Sequence, residues 1–337
     1  MNERILVVGA GAIGGVTAAH LARAGHDVVV LDANTEHVRL MNAPGLRFDE
    51  LGATSHIPIV ATDNADNLEG HFDYALLTLK APYLEVALAP LVRRDLVDTY
   101  VSLGNGLVQN NIESIIGVDR LVIGITEWGA TNLGPGHLAQ TTVAPFVIGE
   151  IDGRRTRRIE RLASILTTAA EVHISESIVG QIWSKLLLNS TFSGLGAVTG
   201  LLYRDVASDP VGRKVAYQLW TEAYDVATAI GIQLDEIVGV HPDQLVVRSA
   251  DDLERADAAL SILMNRLGAT KASMLQDLER GAVTEVDVIN GGVASTAATA
   301  GINSPLNTRI VQLVHACERG IRTSNRDALT ELATVTA

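Results

Sequence analysis

Residues 4–15 read Arg4-Ile-Leu-Val-Val-Gly9-Ala-Gly11-Ala-Ile-Gly14-Gly15. The stretch Arg4–Val8 is a continuous apolar run, the pattern of a strand in a parallel sheet covered on both faces. Glycines follow at Gly-x-Gly-x-x-Gly spacing, and Gly15–Ala24 reads as a helix ended by Gly25. Gly9 permits a tight turn between the two. Gly11 lets backbone approach a pyrophosphate closely, and Gly14 lets helix and strand pack together. The helix N-terminus attracts the negative charge. With Ala12 and Ile13 between the glycines, Gly9–Gly14 is read as a dinucleotide phosphate turn. A glycine-rich turn without a ligand is the alternative. No Gly-x-x-x-x-Gly-Lys-Ser/Thr is present, so the turn is not a nucleotide-hydrolysing P-loop.

Strand–helix alternation continues outward from this start. Asp27–Leu31, Tyr74–Leu79, Thr99–Leu103 and Val172–Ser175 read as further strands. Leu121–Thr126 and Ala144–Gly149 flank a stretch containing Gly134-Pro135-Gly136, which predicts a hairpin at the far edge of the sheet. Gly153–Ala170 reads as a helix. Beyond Glu176 nearly everything has helical spacing: Ser177–Thr199, Pro210–Ala229, Ala250–Leu267 and Ile302–Arg319. Gly239–Arg248 reads as a surface loop. The fold class is therefore α/β, a doubly wound parallel sheet followed by an all-helical C-terminal domain. Residues 1–175 are expected to bind a dinucleotide and residues 176–337 to carry substrate and catalysis.

The composition agrees. The 337 residues are 47% hydrophobic and 19% charged, enough apolar material for a sizeable core. Lys plus Arg is 26 against 39 Asp plus Glu, a net charge of −13. That balance argues against nucleic acid or an anionic membrane as a partner. One cysteine, Cys317, excludes an internal disulfide framework. The start, MNERILVVGAG, has no signal-peptide pattern, and no apolar run reaches the roughly 20 residues of a spanning helix. The expectation is a cytoplasmic protein. The nine histidines form no metal-spaced pair, so no metal site is expected.

Ligands of doubly wound sheets bind outside the carboxyl ends of the strands, and polar residues stand at several such ends. Asp32 closes the second strand. Its carboxylate can accept from adenine-ribose hydroxyls and would repel a 2′-phosphate, which favours NAD over NADP; alternatively it caps the following helix. The next basic residue, Arg39, lies too far along to clamp that phosphate. Lys80 can meet a cofactor phosphate or substrate carboxylate, or be a solvated loop lysine. Asn105, between Gly104 and Gly106, can lie against ribose or nicotinamide, or be a turn residue at positive φ.

Gln181, Lys185, Asn189 and Ser193 recur every four residues and share one helical face. Ile182, Trp183, Leu186, Leu187, Leu188 and Phe192 cover the other faces. A lysine on a mostly buried helix is rare unless paired or functional, and desolvation would ready it for proton exchange. An ordinary solvated face is the alternative. The last cluster runs from Lys271 to Gly292 and reads as a helix, a turn at Gly281 and a second helix capped by Thr284. There Ser273 and Glu285 could be mere capping groups.

These motifs in order (Gly-Ala-Gly-Ala-Ile-Gly, Thr-Leu-Lys at 78–80, Gly-Asn-Gly at 104–106, Trp-x-Lys-Leu-x-x-Asn at 183–189, and Ser-Met-Leu-Gln-Asp-Leu-Glu-Arg-Gly…Thr-Glu-Val-Asp at 273–287) resemble the ketopantoate reductases. The resemblance spans residues 5–292. It implies a Rossmann-type domain, a helical C-terminal domain and reduction of a 2-oxo acid by a nicotinamide cofactor. It makes Lys185 the catalytic lysine and Asn105 a second catalytic residue. Asn189, Ser193, Ser273 and Lys80 would hold substrate. Gly9, Gly11, Ala12, Ile13, Gly14, Asp32, Lys80, Asn105 and Glu285 would hold the cofactor. Two positions depart from the family: Ser193 stands where a second asparagine is common, and Asp32 stands where a basic residue usually serves NADP. An NAD-dependent dehydrogenase of a different 2-hydroxy acid is therefore a second reading. Remoter ones are a 3-hydroxy-acid dehydrogenase, which the Ser273–Glu285 cluster disfavours, and a non-enzymatic dinucleotide sensor. The apolar helical half is compatible with a homodimer.

Overall fold

A computed structural model describes residues 3–126 and 128–335. Its contacts divide the chain into two compact units, Met1–Gly104 with Val108–Ile178, and Asn105–Leu107 with Val179–Ala337.

The first unit holds twelve strands among the described residues: β1 (Arg4–Val8), β2 (Asp27–Leu31), β3 (Leu46–Glu50), β4 (Ala53–Ile57), β5 (Val60–Thr62), β6 (Phe72–Leu77), β7 (Val97–Ser102), β8 (Leu121–Thr126), β9 (Ala130–Gly134), β10 (His137–Gln140), β11 (Phe146–Gly149) and β12 (Val172–Ile174). Its helices are α1 (Ala12–Arg23), α2 (Thr35–Leu40), α3 (Leu84–Arg93), α4 (Val108–Ile116) and α5 (Arg157–Leu166). The main sheet has the order β12-β11-β8-β7-β6-β1-β2-β5. β1 pairs in parallel with both β2 and β6. The chain thus leaves β1 on one side and returns on the other, which places a topological switch point at the carboxyl ends of β1 and β6.

β1 is apolar throughout because both faces are covered. Ile5 and Val7 pack in one core with Val16 and Leu21 of α1 and Ile159 and Leu162 of α5. Leu6 and Val8 point the other way by strand alternation and are equally buried.

The edge differs from the expected hairpin. β8 and β11 are antiparallel, but β12 adds outside β11. The Gly134-Pro135-Gly136 turn instead joins β9 and β10, which belong to a separate sheet of order β4-β3-β10-β9.

The second unit is helical: α6 (Ile178–Leu188), α7 (Gly194–Thr199), α8 (Tyr203–Ser208), α9 (Pro210–Ala229), α10 (Leu253–Leu267), α11 (Ser273–Glu279), α12 (Asn290–Ala300), α13 (Pro305–Glu318) and α14 (Asp327–Ala333). The expected single helix over 177–199 is interrupted by a π-helical turn, Asn189–Ser193. The expected helix at Thr284 starts only at Asn290. Thr284 Oγ1 accepts from Val286 N at 3.2 Å, which holds a turn. The Val288 carbonyl is taken by Leu107 N at 2.8 Å instead of a helical donor. Cys317 is half-buried. Among the described residues, no helix is long and apolar enough to cross a membrane, and no His/Cys/Asp/Glu group could hold a metal ion.

Two glycines of the turn after β1 differ in what surrounds them. A Cβ at Gly14 would lie 2.0 Å from Gly9 O and 2.1 Å from Thr78 Oγ1, whereas one at Gly11 would meet nothing within 4 Å. Gly14→Ala is therefore expected to destabilise the first unit by about 1–3 kcal/mol, the usual range for overpacking. Gly11→Ala should leave its stability near wild type. Urea unfolding midpoints check this, and equal midpoints for the two variants would contradict the packing described.

Candidate active site

The turn after β1 is built by backbone constraints. Gly9 has φ +91°, and its N–H donates to Leu31 O at 2.8 Å. A Cβ there would come within 2.5 Å of Leu79 Cδ2. Thr78 Oγ1 donates to Gly9 O at 2.5 Å, tying the end of β6 to the turn. Ala12 and Ile13 then open α1, whose first turn has no acidic residue and whose N-terminus has no side-chain cap. The open space over Gly11, with these uncapped N–H groups, fits a pyrophosphate: an anion is favoured there and no side chain obstructs it.

Asp32 is half-buried and holds this turn rather than the next helix. Its Oδ2 accepts from Ala10 N at 2.6 Å and its Oδ1 from Asn34 N at 2.9 Å. The cap of α2 is Asn34, whose side chain accepts from His37 N at 3.0 Å. The helix-capping alternative for Asp32 is thus excluded. Each carboxylate oxygen retains acceptor capacity for a further donor. Arg39 is held by Glu36 in two 2.8 Å hydrogen bonds. A cleft of about 790 Å³ opens beside Asp32, and its wall carries Asp63, Asp66, Tyr83 and Arg93. Lys80 is half-buried just after β6, immediately before the short turn Ala81–Tyr83.

In the second unit, α6 presents the polar face. Ile182, Trp183, Leu186, Leu187 and Phe192 are buried, while Lys185 and Asn189 are half-buried. The π-helical turn begins at Asn189; such widened turns recur at functional sites. Ser193 is buried and faces Tyr203. Burial pushes the Tyr203 phenol up to about 12. Ser273 is exposed at the first position of α11 and caps nothing.

Asn105 and Glu285, 180 positions apart, meet directly: Asn105 Nδ2 donates to Glu285 Oε2 at 3.0 Å. Gly106 makes this approach feasible. It has φ +65°, and a Cβ on it would lie 2.3 Å from Val288 O. The positive φ of this loop thus falls on Gly106 and not on Asn105.

Several supporting residues were not legible in the sequence. Thr284 N donates to Glu318 Oε1 at 2.8 Å. Glu318 Oε2 also bonds His315 Nδ1 at 2.7 Å, and His315 Nε2 bonds Asp287 Oδ1 at 2.9 Å. Carboxylates only accept, so both ring nitrogens donate and His315 is an imidazolium. Burial alone would lower its pKa, but its hydrogen bonds to Glu318 and Asp287 raise it above the ordinary value of 6.5. This bridge clamps the turn that carries Glu285.

A second network supports the π-turn. Asn290 Nδ2 donates to Ser190 O at 2.8 Å and to Asn307 Oδ1 at 2.9 Å. Asn307 Nδ2 reaches Glu222 Oε2 at 2.9 Å, and Glu222 also accepts from the N–H groups of Leu306 and Asn307. Burial pushes the Glu222 carboxyl up.

The glycine turn, Asp32 and Lys80 therefore stand in the first unit. Asn105, Lys185, Asn189, Ser193, Ser273 and Glu285 stand in the second.

Comparison with known proteins is consistent over most of the chain. Residues 5–153 match the family model described as ketopantoate reductase PanE/ApbA, and residues 177–318 match that of its C-terminal part. The 2-dehydropantoate 2-reductase of Mesorhizobium japonicum is 30% identical, over 94% of this chain and 99% of that relative. The enzyme of the same name from Archaeoglobus fulgidus is 26% identical, over 95% and 99%. A PanE/ApbA family ketopantoate reductase structure from Ralstonia eutropha superposes with a TM-score of 0.80 at 25% identity, covering 94% of this chain and 99% of that one. A D-mandelate dehydrogenase solved with NADH and anilino(oxo)acetate shares the fold, with a TM-score of 0.80, 24% identity and coverage of 94% and 99%.

The His315 bridge generates a pH dependence. A histidine whose folded pKa is raised contributes stability that is fully present below its ordinary pKa and lost as pH rises through the folded value. The unfolding midpoint of wild type should exceed that of His315→Gln most at about pH 6, and the gap should shrink by about pH 9. A gap independent of pH would contradict the imidazolium assignment.

Proposed function

The chain belongs to the ketopantoate reductase family and is a nicotinamide-dependent oxidoreductase acting on a CH–OH group, and we propose that it reduces the 2-oxo group of ketopantoate or a similar branched 2-oxo acid with Lys185 as proton donor. The observation that carries this reading is the polar face of Lys185 and Asn189 on an otherwise buried helix, in the same unit as the Asn105–Glu285 pair.

Bound nicotinamide supplies the hydride. As negative charge develops on the C2 oxygen, the Lys185 ammonium stabilises it and donates a proton. The half-buried Asn189 amide can donate to a substrate oxygen. Ser273 offers an exposed hydroxyl. Lys80 is a cation for the cofactor phosphate or substrate carboxylate. Asn105 orients Glu285, and Glu285 receives the cofactor ribose or a substrate hydroxyl. In this reading residues 1–175 bind the dinucleotide and 176–337 the acid.

We infer NAD as the favoured cofactor. Asp32, Asp63 and Asp66 line the cleft beside the glycine turn, against Arg93 as its cation. A 2′-phosphate would meet three carboxylates, while Arg39 is engaged by Glu36. A different 2-hydroxy acid as substrate is favoured by one observation: Ser193, at the position where the family's second asparagine is common, is buried against Tyr203.

Lys185→Ala should lower turnover by about 10²–10⁴-fold, the usual contribution of a positioned acid, while the cofactor Kd stays within about twofold. Unchanged turnover would overturn the assignment. In steady-state kinetics across a panel of 2-oxo acids, kcat/KM with NADH should exceed that with NADPH. The reverse order would overturn the cofactor reading. A substrate other than ketopantoate at the top of the panel would establish the second reading.

A further inference from the structure

We propose that His37 is a positioning residue for the phosphate-binding turn, fixing the Ala10 peptide through which that turn holds its shape. The inference rests on the reading of Gly9–Gly14 as a dinucleotide site.

His37 lies in the first turn of α2, placed there by the Asn34 cap on its own N–H, and it is 3% exposed. Its Nδ1 accepts from Gly136 N at 2.7 Å. A backbone N–H can only donate, so Nδ1 carries no proton and Nε2 does. Nε2 donates to the Ala10 carbonyl at 2.8 Å. The Ala10 N–H is meanwhile bound by Asp32 Oδ2 at 2.6 Å. Both backbone polar groups of the residue between Gly9 and Gly11 are thus held by side chains from one short segment, residues 32–37.

The need for this is entropic. Gly9 and Gly11 flank Ala10 with no Cβ to restrict them, so the turn would sample many shapes without external ties. The tie reaches further through Gly136, at the turn between β9 and β10. It has φ +70°, and a Cβ on it would lie 2.5 Å from Leu40 Cβ of α2. The hairpin therefore packs on the helix that carries His37. The histidine joins the small sheet to the glycine turn through its two ring nitrogens.

Two variants separate this role from simple packing. In His37→Asn, the amide oxygen can replace Nδ1 as acceptor for Gly136, but the side chain is too short to reach Ala10 O. In His37→Gln, the amide nitrogen can replace Nε2 as donor to Ala10 O, and the Gly136 bond is lost. NADH and NADPH binding is measured by fluorescence, and amide hydrogen exchange of residues 9–14 is measured without cofactor. His37→Asn is expected to weaken binding of the preferred dinucleotide about three- to tenfold, with faster exchange in 9–14 and kcat within about twofold. His37→Gln should retain near-wild-type affinity and exchange. Unchanged affinity and exchange in His37→Asn, or equal losses in both variants, would overturn the proposal. Failure of the wild-type chain to bind either dinucleotide would overturn the underlying reading and this proposal with it.

Discussion

The contact that governs the first unit is the approach of α1 to the carboxyl end of β1. The Gly9 carbonyl and the Thr78 hydroxyl occupy the space that a side chain at residue 14 would need. This one constraint fixes the turn geometry, points the α1 N-terminus out of the sheet, and ties β6 to β1 at the point where strand order reverses. An anion is then favoured at the helix N-terminus for reasons of backbone charge alone. Asp32 and His37 act on the same few atoms, through Ala10.

The legible parts of the fold were those with local causes. The run Ile5–Val8 is apolar because both its faces are covered, and the glycines are required by nearby atoms. The second sheet escaped notice because its strands are short and partly exposed. β4, Ala53–Ile57, buries only Ile57, so it carries no apolar pattern to read. The interruption of the helix over 177–199 has no residue signature such as proline. The late start of α12 comes from a tertiary hydrogen bond, Leu107 N to Val288 O, which nothing in the local sequence announces.

The site divides in the same way. The stripe of Lys185 and Asn189 is a matter of helical period and was readable from spacing. That Asn105 donates to Glu285 was not, because 180 residues separate them and their meeting depends on a glycine lying against the Val288 carbonyl. The supporting groups were the least visible. Glu222, Asn307 and Asn290 form a buried polar chain to Ser190, and His315 bridges two carboxylates around the Glu285 turn. Those linking partners come from α9, α12 and α13, and only the folded chain assembles them.

The acidic excess of the sequence also takes on local meaning. The carboxylates of Asp32, Asp63 and Asp66 gather in one cleft beside the glycine turn, and the proposed preference for NAD rests on them. On the helical unit Lys185 sits half-buried on a helix whose other faces are apolar, the placement that supports the proposed proton donation. The most direct measurement is hydride transfer itself, with NADH deuterated at the transferred position and ketopantoate as acceptor. The account predicts one deuterium at C2 of the hydroxy-acid product. Product without the label, or no label transferred to any 2-oxo acid while cofactor remains bound, would contradict it.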